Sequence, residues 1–211
     1  MRLADRIATP EGKRQYVRSL FATIADRYDF ITIALSYGQD RRWKRRLVDL
    51  AAVVPGCRAL DLATGTGDIA FALSARGADV VGDMLALPFP PASFDLVTTG
   101  YGLRNVPDLA AAIDEIARVL RPGGRLLALD FNRPAHGIVR ALYLAYLTAV
   151  GSALGWILHR DPDTYRYIPA SIRNYPGAQA VASMLEQRGF ASAKYHRVLA
   201  GLMAIHDAVR S

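Results

Sequence analysis

The stretch Leu60-Asp61-Leu62-Ala63-Thr64-Gly65-Thr66-Gly67-Asp68 sets an acid, two hydroxyls and two glycines at the end of a short apolar run. Gly65 and Gly67 let the backbone turn sharply with no side chain in the way. N–H groups freed where such a turn opens a helix favour a carboxylate or another anion. Asp61, closing the apolar run, can hold an ammonium group. An acid facing a carboxylate-binding turn suits the zwitterionic methionine end of S-adenosylmethionine, with Asp61, Ala63, Thr64, Gly65, Thr66 and Gly67 around it. A dinucleotide fingerprint would carry a third glycine and a phosphate-binding loop a lysine, and neither is present. The plain alternative is a tight turn that holds no ligand.

Two further motifs follow. In Gly82-Asp83-Met84, an aspartate beside a methionine can hydrogen-bond an adenine amino group and pack against its ring; a capped loop is the alternative. Leu120-Arg121-Pro122-Gly123-Gly124-Arg125-Leu126 reads as a tight turn releasing the chain into a strand over 125–131, an architectural element. The four histidines, at 136, 159, 196 and 206, lack metal-ligand spacing, and with Cys57 as the one cysteine no metal site is expected. His206 lies in an apolar stretch and reads as a core residue.

The elements that must carry these residues alternate. Apolar positions at 17, 20, 21, 24 and 25 recur at helical spacing, and a second helix is predicted over 39–52. From residue 57 the pattern becomes strand 57–62, helix 69–76, strand 78–81, strand 94–99, helix 109–120, strand 125–131 and helix 179–187. Stretches around 193–199 and 202–208 suit an antiparallel edge pair. Strands separated by helices predict a doubly wound, mostly parallel α/β sheet. The expectation is a single domain over 1–211, with a helical amino-terminal cap over about 1–54.

One place breaks the pattern. After the strand at 78–81 the chain passes through Gly82-Asp83 to Leu87-Pro88-Phe89 with no crossover, whereas a βαβ unit takes roughly 30 residues. Either the chain is shortened there, or a segment is missing between residues 82 and 83; the second is preferred, because losing an interior strand would open the core. An intact peptide would set the two Cα atoms about 3.8 Å apart.

Composition narrows the class. Hydrophobic residues are 52% and charged residues 21% of the 211, an ordinary globular balance. The single cysteine excludes an intramolecular disulfide, and residues 1–14 lack the apolar centre of a signal peptide, so a cytoplasmic protein is expected. The net charge of +7 fits nucleic acid, an anionic membrane surface or an acidic small molecule, and does not choose among them. Its densest run, over 41–46, reads as a solvated helix face. Residues 138–158 are long and apolar enough to span a bilayer. Gly151, Gly155 and the charged run over 159–163 point instead to a helix buried in the domain or lining a greasy pocket, which would suit a lipid-tailed substrate.

Taken together, these motifs resemble class I S-adenosylmethionine methyltransferases, and more narrowly the ubiquinone/menaquinone biosynthesis C-methyltransferase (UbiE) family. The narrower resemblance rests on Tyr28-Asp29 with Leu35-Ser36 and Trp43-Lys44-Arg45, on Gly102-Leu103-Arg104-Asn105-Val106, on residues 118–124, and on Asp163-x-Tyr165-x-Tyr167-x-x-x-Ser171-Ile172 with Pro176. It covers about residues 17–199. Departures from the family pattern stand at Ile31-Thr32 (usually Met-Asn), Asp40 (a histidine), Asp130 and Asn132 (glutamate and serine), and in the chain after His206.

The resemblance implies a Rossmann-like fold, S-adenosylmethionine as cofactor with Asp83, Met84 and Gly100 completing its site, and carbon methylation of a prenylated benzoquinol or naphthoquinol. It implies Arg104, Asn105 and Tyr28 as pocket residues. Arg104 always carries charge and makes a poor base, but beside a phenol it would lower that pKa. Asn105 and Tyr28 would orient the ring, and Tyr165 and Tyr167 can line the cavity. Another small phenolic acceptor is the second reading, favoured by the departures; an RNA-modifying or nucleic-acid-binding protein is third. The partners expected are the lipid-tailed quinol and a transient membrane-surface contact, with a homodimer left open and no nucleic acid.

Overall fold

The computed structural model describes residue 3, residues 7–83 and residues 87–211; for residues 28, 29 and 81–83 it describes the backbone alone. Helix α1 (Pro10–Ile24) starts with Thr9, whose hydroxyl accepts from Gly12 N–H at 3.1 Å, and with Pro10 at its first position. A short 3₁₀ turn leads into α2 (Tyr28–Leu35), followed by α3 (Asp40–Ala51). Then come β1 (Arg58–Leu62), α4 (Asp68–Ser74), β2 (Asp79–Asp83), β3 (Phe94–Gly100), α5 (Leu109–Val119) and β4 (Leu120–Phe131). The chain closes with α6 (Gly137–His159), α7 (Tyr167–Asn174), α8 (Ala178–Gln187), β5 (Phe190–Val198) and β6 (Met203–Arg210).

The six strands lie in the order β2-β1-β3-β4-β6-β5. β1 to β4 are parallel, while β6 runs antiparallel to β4 and to β5, so the edge pair expected from the sequence is present. β1 has β2 on one side and β3 on the other. This is the reversal point of the sheet, beyond whose strand ends ligands bind in open α/β folds.

Alternation along β4 shows how the sheet is covered. Leu126 and Ala128 point to the side of α5 and α8, with Ile113, Ile116 and Val181. Leu127 and Leu129 point to the side of α3 and α4, with Trp43, Leu47 and Leu73. A third cluster joins α1, α2, α6 and α7 into a cap through Leu20, Ile31, Leu147, Tyr167 and Ile172.

Three expectations need correction. The Arg-Pro-Gly-Gly segment is not a turn ahead of the strand: β4 begins at Leu120, and pairing with β3 shifts register between Phe94 and Leu96, where Gly123 has φ +77°. Two steps along β3, from Phe94 to Leu96, face five along β4, from Leu120 to Arg125, so three extra residues loop out within the strand and the ladder resumes at Arg125. Helix α6 is not a buried helix. Tyr143, Leu144, Leu147, Gly151 and Gly155 pack inward, while Ile138, Leu142, Trp156 and Ile157 face out. Nor does it line the enclosed cavity described below; it borders an open groove beside Arg173.

At the place where the crossover is short, β2 runs on through residues 82 and 83, which pair with Asp61 and Leu62 of β1. β2 is the edge strand, so a further strand would add outside it and the core beneath stays closed.

Candidate active site

Two hollows meet at the carboxyl ends of β1 and β3. The first is polar, lined by Asp61, Ala63, Thr64, Gly65, Thr66 and Gly100, together with Lys44, Asp68, Ile69 and Tyr101. β1 delivers Asp61 at its next-to-last position, 1% exposed, where Oδ1 accepts from Thr98 Oγ1 at 2.6 Å. Thr64 Oγ1 donates to the Asp61 carbonyl at 2.6 Å and ties the turn to the strand. Ala63, Gly65 and Gly67 all take positive φ, at 60°, 53° and 84°, so the turn is left-handed at alternate residues. Burial pushes the Asp61 carboxyl from its ordinary 3.8 up to about 6, against the pull of Thr98 and the more distant Lys44. Lys44 is itself committed to Asp40 at 2.7 Å and Asp68 at 2.8 Å. A buried acid raised in this way fits a ligand that brings its own ammonium group.

The second hollow is apolar, a cavity of about 60 Å³ roofed by α1 and α2 and closed from the side by the start of α7. Leu20, Phe21, Ile24, Ile31 and Leu35 form its greasy wall; Arg104, Asn105, Tyr165 and Tyr167 supply the polar groups. Arg104 and Asn105 ride on a 3₁₀ turn (Leu103–Asn105) immediately after β3. The Arg104 guanidinium donates from Nε to Asp130 Oδ1 at 3.2 Å and from Nη1 to Ser171 Oγ. It also lies over the Phe131 ring at 5.1 Å. Burial pushes the Asp130 carboxyl up, and the Arg104 cation and two backbone N–H groups pull it back. Arg104 is thus a buried ion-pair member, not a surface one.

Asn105 donates from Nδ2 to the Tyr101 carbonyl at 2.7 Å. A carbonyl only accepts, so this bond fixes the amide and leaves Oδ1 as the free acceptor. That oxygen and the Tyr167 hydroxyl are both buried without a hydrogen-bond partner among the described residues. Unpaired polar groups in an apolar cavity cost stability unless a ligand satisfies them.

Tyr101 stands between the hollows and lines both. Its φ of 64° is unusual for an aromatic residue. Its N–H donates to the Leu129 carbonyl at 2.7 Å, and its hydroxyl donates to Asp40 at 2.6 Å. Strain of this kind persists where surrounding bonds over-determine it.

Of the residues expected from the sequence, Asp61, Ala63, Thr64, Gly65, Thr66 and Gly100 come together in the polar hollow, with Gly67 opening α4, and Arg104 and Asn105 come together in the apolar one. The backbone of Asp83 ends β2 beside Leu62, but its side chain, that of Tyr28 and the whole of Met84 lie outside the described residues. Lys44, Tyr101, Asp130 and Ser171 were not singled out for the site. Lys44 had a signal, as the single lysine in an arginine run, four residues after Asp40 on one helix face. The departures at Ile31-Thr32, Asp40 and Asp130 all lie in or directly behind this site.

Comparison with known proteins bears on this geometry. The model of the ubiE/COQ5 methyltransferase family matches residues 10–79 and 77–210, its two parts dividing at β2. A demethylmenaquinone methyltransferase of Thermus thermophilus is 40% identical, over 89% of this chain and 98% of that protein. The ubiquinone/menaquinone biosynthesis C-methyltransferase UbiE of Shewanella halifaxensis is 35% identical over 93% and 91%. Among solved structures, a SAM-dependent methyltransferase from Thermotoga maritima, described as a possible histamine N-methyltransferase, superposes with a TM-score of 0.62. It covers 92% of this chain and all of its own at 15% identity, a likeness of fold alone.

Proposed function

This chain belongs to the ubiE/COQ5 methyltransferase family, and from that premise we propose that it methylates a ring carbon of a prenylated quinol, demethylmenaquinol or a related benzoquinol, in quinone biosynthesis. The observation that carries the reading is the junction at Tyr101: a polar hollow fit for an amino-acid zwitterion opens beside an apolar cavity holding a buried cation and two unpaired polar atoms. In this reading the enzyme works in the cytoplasm and meets its substrate at a membrane surface. A segment missing between residues 82 and 83 belongs to the same reading; the family match divides a few residues earlier, at 77–79.

S-adenosylmethionine, when bound, supplies an electrophilic sulfonium methyl. Asp61 would take its ammonium group and the turn over residues 63–67 its carboxylate, with Gly100 letting it approach β3 and Asp83 and Met84 on the adenine side. Across Tyr101, the cavity takes part of the quinol ring so that the ring carbon would face that methyl. The ring carbon becomes a strong nucleophile when the adjacent hydroxyl gives up its proton. The Arg104 charge, 5% exposed and short of water, favours the resulting phenolate. Asn105 Oδ1 accepts from a ring hydroxyl, so it prefers the reduced quinol to a quinone, which has no hydrogen to give. Tyr28 and the Tyr167 hydroxyl orient the ring. Water would take the hydroxyl proton, since Arg104 stays charged. The methyl would leave sulfur, giving S-adenosylhomocysteine, and the hydrogen on the methylated carbon would then be lost as a proton to restore the aromatic quinol.

The test is transfer of a labelled methyl from S-adenosylmethionine to chemically reduced demethylmenaquinol and to the matching benzoquinol, with wild type and Arg104→Ala. Label on a ring carbon, lowered roughly tenfold or more in the variant, supports the reading and names the headgroup. Cofactor binding without transfer to either quinol defeats it.

A further inference from the structure

Helix α6 spends half its circumference on nothing. Its inner side packs into the cap through Tyr143, Leu144 and Leu147, and at Gly155 a Cβ would sit 2.4 Å from the carbonyl oxygen of Asp161 in the turn that follows the helix. Its outer side shows Ile138, Val139, Leu142, Trp156 and Ile157, with Trp156 62% exposed. The exposed positions from Leu142 to Trp156 are otherwise alanines, with Thr148 and Ser152 half-buried beside them. The stripe continues onto α2, where Phe30 and Ile33 are exposed and Tyr37 stacks on Tyr146 of α6 with ring centroids 5.3 Å apart. No carboxylate occurs from residue 137 to 160, and arginines stand at both ends of the helix, Arg140 and Arg160. Arg140 and Arg173 border an open groove of about 700 Å³ alongside it.

We propose that the outer face of α6, continued by α2, docks the protein on an anionic phospholipid bilayer. The helix lies in the plane of the headgroups, its apolar side sunk among the acyl chains and its arginines at the phosphates. Three observations favour a bilayer. The charged groups of this helix and its cap are Arg140 and Arg160, which suit lipid phosphates, with Asp161 and Asp163 following directly beyond its end. The aromatic Trp156 stands at the end of an aliphatic stripe, where an interface anchor belongs. The cavity beneath α2 has room for about 60 Å³, which accepts part of a ring and no lipid tail, so in the quinol reading the tail lies outside it. One inner side packed into the domain and one outer side bare also fit a helix lying on a membrane better than one crossing it.

The inference rests on the quinol reading for its purpose and is measured without substrate. Of the two tryptophans, Trp43 is 4% exposed, so a change in emission on adding vesicles reports Trp156. Vesicles of phosphatidylcholine containing phosphatidylglycerol are expected to shift the emission to the blue and to carry the full chain in flotation; phosphatidylcholine alone is expected to do neither. Leu142→Ser and Ile157→Ser should each weaken partition roughly tenfold, whereas Val54→Ser, on an exposed turn away from α6, should leave it unchanged. No uptake by the anionic vesicles overturns the proposal. So does a dimer in solution that Leu142→Glu dissociates, because a second copy would then own the face. Methylation of a short-tailed quinol without vesicle uptake sinks the docking alone, and vesicle uptake without methylation of either quinol sinks the quinol reading alone.

Discussion

Arg104 and Asp130 grip each other twice: the guanidinium Nε reaches Oδ1 at 3.2 Å, and the Arg104 backbone N–H reaches Oδ2 at 2.9 Å. One carboxylate at the end of β4 therefore fixes both the side chain and the turn that carries it. Lys13 clamps the same turn from α1, donating to the carbonyls of Arg104 at 3.0 Å and Val106 at 2.5 Å.

Breaking that pair from one side leaves a buried charge without its partner. Asp130→Ala is expected to cost about 3–5 kcal/mol, read as a fall in the urea midpoint, and to remove methyl transfer with it. Arg104→Met combined with Asp130→Leu should be markedly more stable than either change alone, because neither charge then remains. Equal costs that simply add would mean the two residues are not coupled in the folded protein.

Asp61 gives the site a pH signature. Its carboxyl is raised from 3.8 to about 6, so the ligand-free folded protein prefers it protonated. Its contribution to stability is present below pH 4 and is lost as the pH rises through about 6. An ammonium ligand needs the carboxylate, so cofactor binding should weaken by about tenfold per unit below pH 6 and level off above it. Calorimetry in buffers of different ionisation heat should detect proton release near pH 6. Asp61→Asn should bind weakly at every pH. A flat affinity from pH 5 to 8 in the native protein would remove Asp61 from the ammonium.

Gly102 meets β1 and β3 at closest approach. A Cβ there would lie 2.2 Å from Thr99 Oγ1 and 3.2 Å from the Ala63 side chain. Gly102→Ala is expected to cost about 1–3 kcal/mol and to lower methyl transfer further still, since the displaced turn carries Arg104 and Asn105. Adding Thr99→Ala should restore part of both, because it removes the atom struck and Thr99 Oγ1 has no partner to lose among the described residues. Gly137→Ala, with nothing within 4 Å, is the control and should not destabilise α6.

The sequence made much of this legible, for reasons that differ by element. Strands β1, β3 and the part of β4 from Arg125 were readable because they are short apolar runs beside glycine and proline, and the glycine turn because its chemistry is local to nine residues. Arg104 and Asn105 were readable from a resemblance, not from spacing. What pairs with them was not: Asp130 is 26 residues away and Ser171 67, joined only once β4 and α7 fold against the turn. The exposure of α6 escaped for a related cause. An apolar helix buried on all sides and one bare on half of its surface have the same composition, and only the placement of the cap distinguishes them.

Lys44 links the two ends of that account. Burial works against its charge, but hydrogen bonds to Asp40 and Asp68 outweigh it and hold its pKa above the ordinary value. Through Asp40 it touches the Tyr101 hydroxyl, and across the polar hollow its charge helps keep Asp61 from rising further. Lys44→Met removes that charge, so the Asp61 carboxyl should climb and the pH at which cofactor affinity levels off should move upward from about 6. Lys44→Arg keeps the charge and should hold the midpoint near its native position, even if the bridge to Asp40 and Asp68 is less well made. The measurement is the midpoint of cofactor affinity against pH for the three proteins, made by calorimetry. A merely structural role for Lys44 would lower affinity at all pH values and leave the midpoint where it is, whereas an upward shift in Lys44→Met alone assigns it to positioning the charge on Asp61.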